Sequence, residues 1–367
     1  MEDRLNFVGN CRTTAMGIMP HTDIGRALEL SLGLDIPFWP QLPRVSYYED
    51  MYVQASEHFP GISVDLENQR ISLDTARFND ELDAYLQNME DTAAFGLTEE
   101  YAAVYHRFLA EDLAGYAAIR GQLIGPVSFG FKVCDENNVP IIYDETVRLL
   151  LFDFLSRKIS VQYAELKEKN ENAFVWLDEP GLGWVFSGLS GYDDVVAKTE
   201  YGEFLESLPG PGALHLCADV NLPYLLSMGA VIVSFDAYQT RIMPKGYAES
   251  VRDFLKSGGI VSWGIVPTDS ASLEAETPES LAGRLLDYWG VVCANTDMTM
   301  EEMAEQALIA PARCCLKNVG TAGAVGETAS KKTVCDLVRP EEYLVETAFA
   351  YLKEISQALR DRFDIAE

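Results

Sequence analysis

Residues 213–236 read ALHLCADVNLPYLLSMGAVIVSFD and hold two short apolar runs, each of which ends at polar or reactive side chains. An uninterrupted apolar run of this length is typical of a parallel strand that is buried on both faces. Similar runs recur along the chain, separated by polar turns and helical patterns. We predict eight strands, at 13–19, 36–39, the second half of 118–129, 173–177, 213–217, 231–235, 260–266 and 307–315.

Helical patterns between these runs give an alternating order of strands and helices, which predicts an α/β fold of the (β/α)8 TIM-barrel type. We expect a single domain over residues 1–367. The segment at about 43–97 is too long for one crossover, so it predicts an insertion after the second strand, over one mouth of the barrel. A doubly wound open sheet would give a similar order, but no glycine-rich phosphate loop follows a strand, which favours the barrel. The predicted helices are at 97–119, 145–168, 193–208, 248–256, 278–289, 303–308 and 340–362.

The charge and composition of the chain exclude several classes of partner. Lys and Arg total 28 against 57 Asp and Glu, a formal net charge of −29, which argues against binding to nucleic acid or to an anionic membrane. No apolar stretch is long enough to span a bilayer, and the first residues lack the order of a signal peptide. We therefore expect a cytoplasmic protein. The seven cysteines are widely spread and predict no disulfide framework.

Reactive side chains gather at the predicted carboxyl ends of strands, which is where barrel enzymes carry their active sites. His215 and Cys217 lie two residues apart on one strand and so share a face, while Asp236 ends a later run and the adjacent pair Cys314-Cys315 ends the last one. Imidazole and thiolate suit Zn²⁺, and a carboxylate can add an oxygen ligand. His215, Cys217, Asp236 and one cysteine of the 314–315 pair therefore form a candidate zinc site. Packed thiols, a hydrogen-bonded histidine and an aspartate N-cap are the ordinary alternatives.

This set resembles the zinc ligands of the cobalamin-independent methionine synthase family. The matching motifs are His215-Leu-Cys217, Asp236 at the end of the next strand, and Cys314 within Cys-Cys-Leu-Lys. The resemblance implies that all four residues hold zinc. Asp236 stands where the family usually has Glu, and Cys315 stands where it has Gly.

Two further motifs extend the resemblance to a substrate site. Asp178-Glu179-Pro matches the family's Asp-Glu-Pro, whose Asp binds the amino group of homocysteine. The resemblance thus implies that Asp178 is the catalytic residue and that it binds substrate together with Glu179. The run Met-Gly17-Ile18-Met-Pro is similar to a first-strand Ile-Gly-Ser-Phe-Pro that contacts the amino-acid carboxylate, and Leu-Ile-Gly125-Pro-Val matches a Gly-Pro-Val strand.

The resemblance covers about residues 13–318 and only the C-terminal catalytic barrel of full-length family members. It implies zinc-dependent methyl transfer to the thiol of homocysteine, forming methionine. The chain has no room for the N-terminal barrel that helps to hold folate, so we expect a methylcorrinoid as the methyl donor, carried by a corrinoid protein as partner.

The wider uroporphyrinogen decarboxylase-like group, which the chain also resembles, leaves other functions open. One is methyl transfer from a corrinoid to another small thiol such as coenzyme M. Another is decarboxylation of a tetrapyrrole, although the chain lacks the arginine-rich signature of that reaction. The last is a non-enzymatic subunit that binds corrinoid or zinc.

Overall fold

The computed structural model describes residues 7–217, 221–314 and 334–366, with the backbone alone at 334–340. Seven strands form one parallel sheet that curls into half of a barrel, and two more form a separate antiparallel pair. The strands are β1 (Arg12–Thr13), β2 (Ile62–Asp65), β3 (Arg70–Leu73), β4 (Ile119–Ile124), β5 (Ala173–Asp178), β6 (Gly212–Leu216), β7 (Ile232–Phe235), β8 (Ile260–Val266) and β9 (Ala307–Pro311). The order in the large sheet is β1-β9-β8-β7-β6-β5-β4, and β2 pairs with β3.

Helices flank the curled sheet and bury their apolar faces against it, which makes the predicted α/β class correct. No helix within the described ranges is both long and apolar enough to cross a lipid bilayer. The helices are α1 (Ile24–Leu32), α2 (Met51–Ser56), α3 (Thr75–Gln87), α4 (Ala103–Leu109), α5 (Pro126–Lys132), α6 (Glu145–Lys167), α7 (Leu182–Phe186), α8 (Asp194–Ser207), α9 (Leu222–Leu226), α10 (Lys245–Lys256), α11 (Ser270–Ala275), α12 (Pro278–Cys293), α13 (Met300–Glu305) and α14 (Val334–Phe363).

Local sequence signals explain where several of these helices begin. The side chain of Thr277 accepts a hydrogen bond from the Ser280 amide, and Thr299 forms a capping box with Glu302. Such caps satisfy amide groups that the first helical turn leaves without partners. Asp144 caps the long helix α6 in the same way by accepting from Val147.

The strands predicted at 173–177, 213–217, 231–235 and 260–266 are confirmed to within one residue at each end. The prediction for 118–129 is wrong in detail, because the first half of that run forms β4 and the second half forms α5. Pro126 explains the switch. It has no amide hydrogen to donate to a sheet, and its fixed φ suits the first position of a helix.

The helix predicted at 97–119 is also wrong, since only α4 is helical within it. Distant side chains hold the following loop instead. The side-chain amide of Asn170 donates to the carbonyls of Leu113 and Tyr116, and that of Asn172 donates to the carbonyl of Ala117. These bonds satisfy carbonyl groups that a continued helix would have used.

The predicted strand at 36–39 is an irregular extended segment at 36–41, because its two prolines cannot donate to a ladder. Its backbone still bonds to both edges of the curled sheet. The Ile36 amide donates to the Thr13 carbonyl at 3.0 Å, and the Arg120 amide donates to the Pro37 carbonyl at 3.0 Å. The edge strands β1 and β4 therefore both contact this one segment.

The region at about 43–97, predicted to be an insertion, carries α2, the hairpin β2–β3 and α3. Gly61 precedes the hairpin with φ at +74°, and a Cβ there would lie 2.7 Å from the Cβ of Phe78, so both the backbone and the packing require glycine. From α2, the ring of Tyr52 stacks on Phe129 of α5 at 6.4 Å. This contact brings the insertion against the carboxyl end of β4.

The side chains inside the curled sheet form a second apolar cluster, separate from the layer between sheet and helices. Alternate residues of each strand point inward, as the period of two requires. The deeper interior positions are apolar, among them Phe174, Ala213, Ile232 and Ile260. Nearer the carboxyl end of the sheet, the inward side chains of the same strands are polar, namely Asp178, His215, Ser234 and Ser262.

Candidate functional site

The register of β5, β6 and β7 brings the predicted site residues together at the carboxyl end of the sheet. Asp178 at the end of β5 pairs with His215 of β6, and His215 pairs with Ser234 of β7. Cys217 and Asp236 each come one residue after the end of their strands. Polar groups from neighbouring parallel strands meet at one edge in this way because all the strands run in the same direction.

His215 is held like a metal-binding histidine. Its side chain is buried, with 2% of the residue exposed, and Nδ1 lies 3.0 Å from the Ser234 hydroxyl. The other ring nitrogen, Nε2, is buried and has no hydrogen-bond partner among the described residues. When Nδ1 carries the proton and donates to Ser234, Nε2 presents its lone pair and is free to bind a metal ion.

The thiol of Cys217 interacts with both His215 and Cys314. A hydrogen bond with Cys314, together with burial, raises the pKa of Cys217 well above its usual range, while His215 acts in the opposite direction. A thiol in this setting ionises readily only when a cation shares the site, because a metal ion deprotonates the sulfur that it binds. Three of the four predicted ligands are thus in contact through Cys217.

Asp236 is engaged by a different partner. One of its oxygens, Oδ2, accepts from Nε of Arg313 at 2.7 Å, and Oδ1 accepts from the Gln239 amide at 3.0 Å. The side chain of Arg313 is 43% exposed. Burial lowers the pKa of Arg313, but the hydrogen bond with Asp236 and the charges of Cys217 and Cys314 outweigh burial, so the net shift of this pKa is upward. The Asp236 carboxylate is therefore neutralised by an arginine that lies beside the same two thiols.

Across residues 7–217, 221–314 and 334–366, no group of three or more His, Cys, Asp or Glu side chains is arranged to hold a metal ion. The predicted zinc site is thus a set of neighbours rather than a preformed shell. Its donor chemistry still fits Zn²⁺, since the buried imidazole of His215 adjoins the thiol of Cys217, which in turn adjoins the thiol of Cys314. Ligation by His215, Cys217, Asp236 and Cys314 stays a prediction.

Asp178 lies beside this set at the end of β5 and is partly buried. Burial raises the pKa of Asp178 to about 7, while the charge of Arg120 acts in the opposite direction. A carboxyl group titrating this high is a common feature of functional sites. Its place next to His215 suits the predicted role of binding an amino group near the metal ligands.

Glu179 is fully buried and tied to the start of α5. Its Oε1 accepts from the Val127 amide at 3.1 Å, and Oε2 accepts from the amide and hydroxyl of Ser128 at 2.8 and 2.5 Å. Burial raises the pKa of Glu179 to about 7, and these bonds partly offset that effect. They also join the Gly125-Pro-Val turn to the end of β5. Contact between Glu179 and a substrate stays a prediction.

Gly17 and Ile18, which are predicted to bind substrate, lie beyond β1, because the strand predicted at 13–19 is wrong and β1 ends at Thr13. A Cβ at Gly17 would lie 2.2 Å from Nε2 of Gln122, so only glycine leaves room for that amide, which donates to the Trp39 carbonyl. Ile18 is half-buried and forms an isolated parallel bridge with Gln41. Gly17 therefore has a clear packing role, and its contact with a substrate carboxylate stays a prediction.

Three residues near the site were missed by the sequence analysis. Arg120 and Arg313 are cations beside predicted anionic or thiol groups, and Tyr52 reaches the site from the insertion. Burial raises the pKa of Tyr52, and the charges of Asp50, Glu179, Cys217 and Asp178 add to that effect. The isolated arginine in an apolar strand and the arginine directly before Cys314 were visible signals. Nothing in the sequence pointed to Tyr52.

No family model and no curated protein matches this chain. The last part of the Cys-Cys-Leu-Lys motif, at 315–317, lies outside the described residues. A functional hypothesis for the chain therefore depends on its own motifs and on the contacts that join them.

Proposed function

We propose that the chain is a zinc-dependent methyltransferase that moves a methyl group from a methylcorrinoid to the thiol of homocysteine and so forms methionine. The observation that carries the proposal is the contact of Cys217 with both His215 and Cys314, one strand away from Asp178. Two thiols and an imidazole are a soft donor set, and a carboxyl group beside them suits an aminothiol.

Different residues of the chain would bind the sulfur and the amino group of the substrate. His215, Cys217 and Cys314 would hold the metal, with Asp236 as a fourth ligand if its bond to Arg313 opens. Bound zinc would lower the pKa of the substrate thiol and keep it as a thiolate at neutral pH. Asp178 would bind the ammonium group, so that the sulfur is presented in one orientation.

In the overall reaction a sulfur–carbon bond forms as the cobalt–carbon bond of the donor breaks. The electron pair of the broken bond stays on cobalt, and the thiol proton leaves to solvent. The donor would reach the site from the carboxyl end of the sheet on a corrinoid protein. Tyr52 and Arg313 would lie at this entrance, since both adjoin the metal ligands.

The fold that we propose for this function is a closed (β/α)8 barrel in one domain with an insertion after its second strand. Support comes from the segment at 36–41, which bonds to both β1 and β4. This segment would take the place of the eighth strand of the barrel. We place the protein in the cytoplasm, where thiols stay reduced.

The proposal is tested by turnover of the full-length, zinc-loaded protein. It is incubated under reducing conditions with methylcobalamin and one acceptor at a time: homocysteine, or 2-mercaptoethanesulfonate, which is coenzyme M. Methionine formation that is lost in Cys217→Ser but kept in Cys293→Ser is the expected result. Methylation of the sulfonate alone would move the function to the coenzyme M alternative, and zinc binding without any product would favour a non-enzymatic subunit.

The donor is tested separately with methyltetrahydrofolate in place of methylcobalamin. We expect no methionine from the folate, because the region after residue 43 carries no recognisable folate-site segment. Turnover with folate alone would overturn the donor assignment and leave the zinc-thiol chemistry in place.

A further inference from the structure

Arg120 is a fully buried cation inside the curled sheet, with 0% of the residue exposed. Its guanidinium carbon lies over the rings of Phe38 and Trp176, at 4.8 and 4.7 Å from their centroids. Its Nε donates to the Thr14 hydroxyl at 3.1 Å, and Nη1 donates to Oε1 of Gln122 at 2.9 Å. These contacts fix the plane of the guanidinium group.

The charge of this arginine lacks a direct counter-ion in the part of the chain that the structure describes. Arg120 takes part in none of the ion pairs there, and its Nη2 is buried without a hydrogen-bond partner. Burial lowers the pKa of Arg120 to about 9, and the charge of Asp178 opposes that shift. A buried charge without a close partner is costly, so a protein seldom keeps one that does nothing.

We propose that Arg120 is a specificity-determining residue whose charge selects thiol substrates that carry a carboxylate next to their ammonium group. The inference rests on the proposed function and names the headgroup that its site would accept. Asp178 and Arg120 are opposite charges that interact without forming an ion pair within 4.0 Å. The headgroup of an α-amino acid is itself a pair of opposite charges, with its ammonium toward Asp178 and its carboxylate toward Arg120.

A second contact places the carboxylate side of this headgroup. Gln122, which is held by Arg120, packs with its amide against the α-carbon of Gly17. The arginine, the glutamine and the first-strand turn therefore share one wall of the interior. That wall supplies Nη2 of Arg120 as a hydrogen-bond donor, and the end of β5 supplies the acceptor.

The pairing predicts how related thiols are ranked. A simple aminothiol would satisfy Asp178 and leave Arg120 unbalanced. A mercapto acid or mercapto sulfonate would satisfy Arg120 and leave Asp178 unbalanced. Only the zwitterion matches both charges, and the cost of leaving a buried charge without its partner sets the discrimination.

Binding to the zinc-loaded, full-length protein is measured by calorimetry for homocysteine and for 3-aminopropane-1-thiol, which is the same molecule without its carboxylate. We expect the wild type to bind homocysteine at least about tenfold more tightly, as a charge-assisted hydrogen bond would give. The preference should fall to within about twofold in Arg120→Met and be largely kept in Arg120→Lys, because a charge is restored there. Arg148→Met, which removes a half-buried arginine paired with Glu200, should keep the full preference.

Asp178→Asn provides the complementary variant, since it should weaken both amines and bind 4-mercaptobutanoate at least as tightly as the wild type does. Equal binding of the two aminothiols to the wild type, or an unchanged preference in folded Arg120→Met, would overturn the role of Arg120 alone. If Arg120→Met does not fold, Arg120→Gln, which removes the charge but keeps a hydrogen-bonding side chain, takes its place with the same expected loss of preference. If neither aminothiol binds the zinc-loaded wild type, the proposed function fails as well.

Discussion

Replacement of Glu179 tests whether its buried carboxylate holds the site together. Glu179→Ala removes three hydrogen bonds and leaves the amides of Val127 and Ser128 buried without acceptors. Each orphaned buried donor costs about 1–3 kcal/mol, so we expect a loss of about 4 kcal/mol in the free energy of unfolding. Glu179→Gln keeps one oxygen acceptor and removes a buried charge, so we expect a change within about 1 kcal/mol.

The assay is urea unfolding followed by tryptophan fluorescence at about pH 7, with Glu171→Ala, at an exposed position before β5, as a control that should cost less than about 0.5 kcal/mol. The pH dependence adds a second readout. Burial raises the pKa of Glu179 from 4.5 to about 7, so the folded protein keeps a proton that the unfolded chain releases. As the pH rises from about 4.5 to about 7, the free energy of unfolding of the wild type should therefore fall by up to about 3 kcal/mol relative to that of Glu179→Gln. Equal stability of the Ala and Gln variants would refute the reasoning.

Three further predictions concern packing, capping and protonation. A Cβ on Gly125 would lie 2.0 Å from Oε1 of Glu179, so Gly125→Ala should cost about 2 kcal/mol in thermal or urea unfolding, whereas Gly283→Ala, with open space around its α-carbon, should be neutral or stabilising. Thr299→Ala removes the capping box of α13 and should cost about 1 kcal/mol, with an unchanged m-value; no measurable loss would mean that the cap is dispensable. The raised pKa of Asp178, about 7, predicts that 3-aminopropane-1-thiol binds more tightly as pH rises from about 6 to about 8, because only the carboxylate attracts ammonium. Asp178→Asn should flatten that rise, and an identical pH profile in this variant would exclude Asp178 as the amine ligand.

The fold was predictable where buried parallel strands leave a direct trace in the sequence. The runs that form β5, β6, β7 and β8 are continuous, apolar and bounded by polar residues, and their positions follow from that pattern alone. The errors arose where partners distant in the chain decide the structure. The loop after α4 is held by hydrogen bonds from Asn170 and Asn172, and no local sequence pattern predicts those hydrogen bonds.

In the candidate site, too, some features follow from the local sequence and others depend on residues that are distant in the chain. Same-face placement of His215 and Cys217 follows from the period of a strand, and their place at the carboxyl end follows from the fold class. The pairing of Asp236 with Arg313 and the approach of Tyr52 depend on how loops and the insertion fold back. The sequence therefore predicted the shared face of the strand, but it did not predict that Arg313 neutralises Asp236.

The central claim is tested most directly by the metal content of the purified protein and its sulfur coordination. Zinc analysis with X-ray absorption on the full-length protein should give about one zinc per chain, with two sulfur ligands at about 2.3 Å and one imidazole nitrogen. The metal should be lost in Cys217→Ser and in Cys314→Ser and kept in Cys293→Ser, in which a cysteine of α12 is replaced. A wild-type protein that binds no zinc under reducing conditions, or one that keeps its zinc after loss of either site cysteine, would contradict the account.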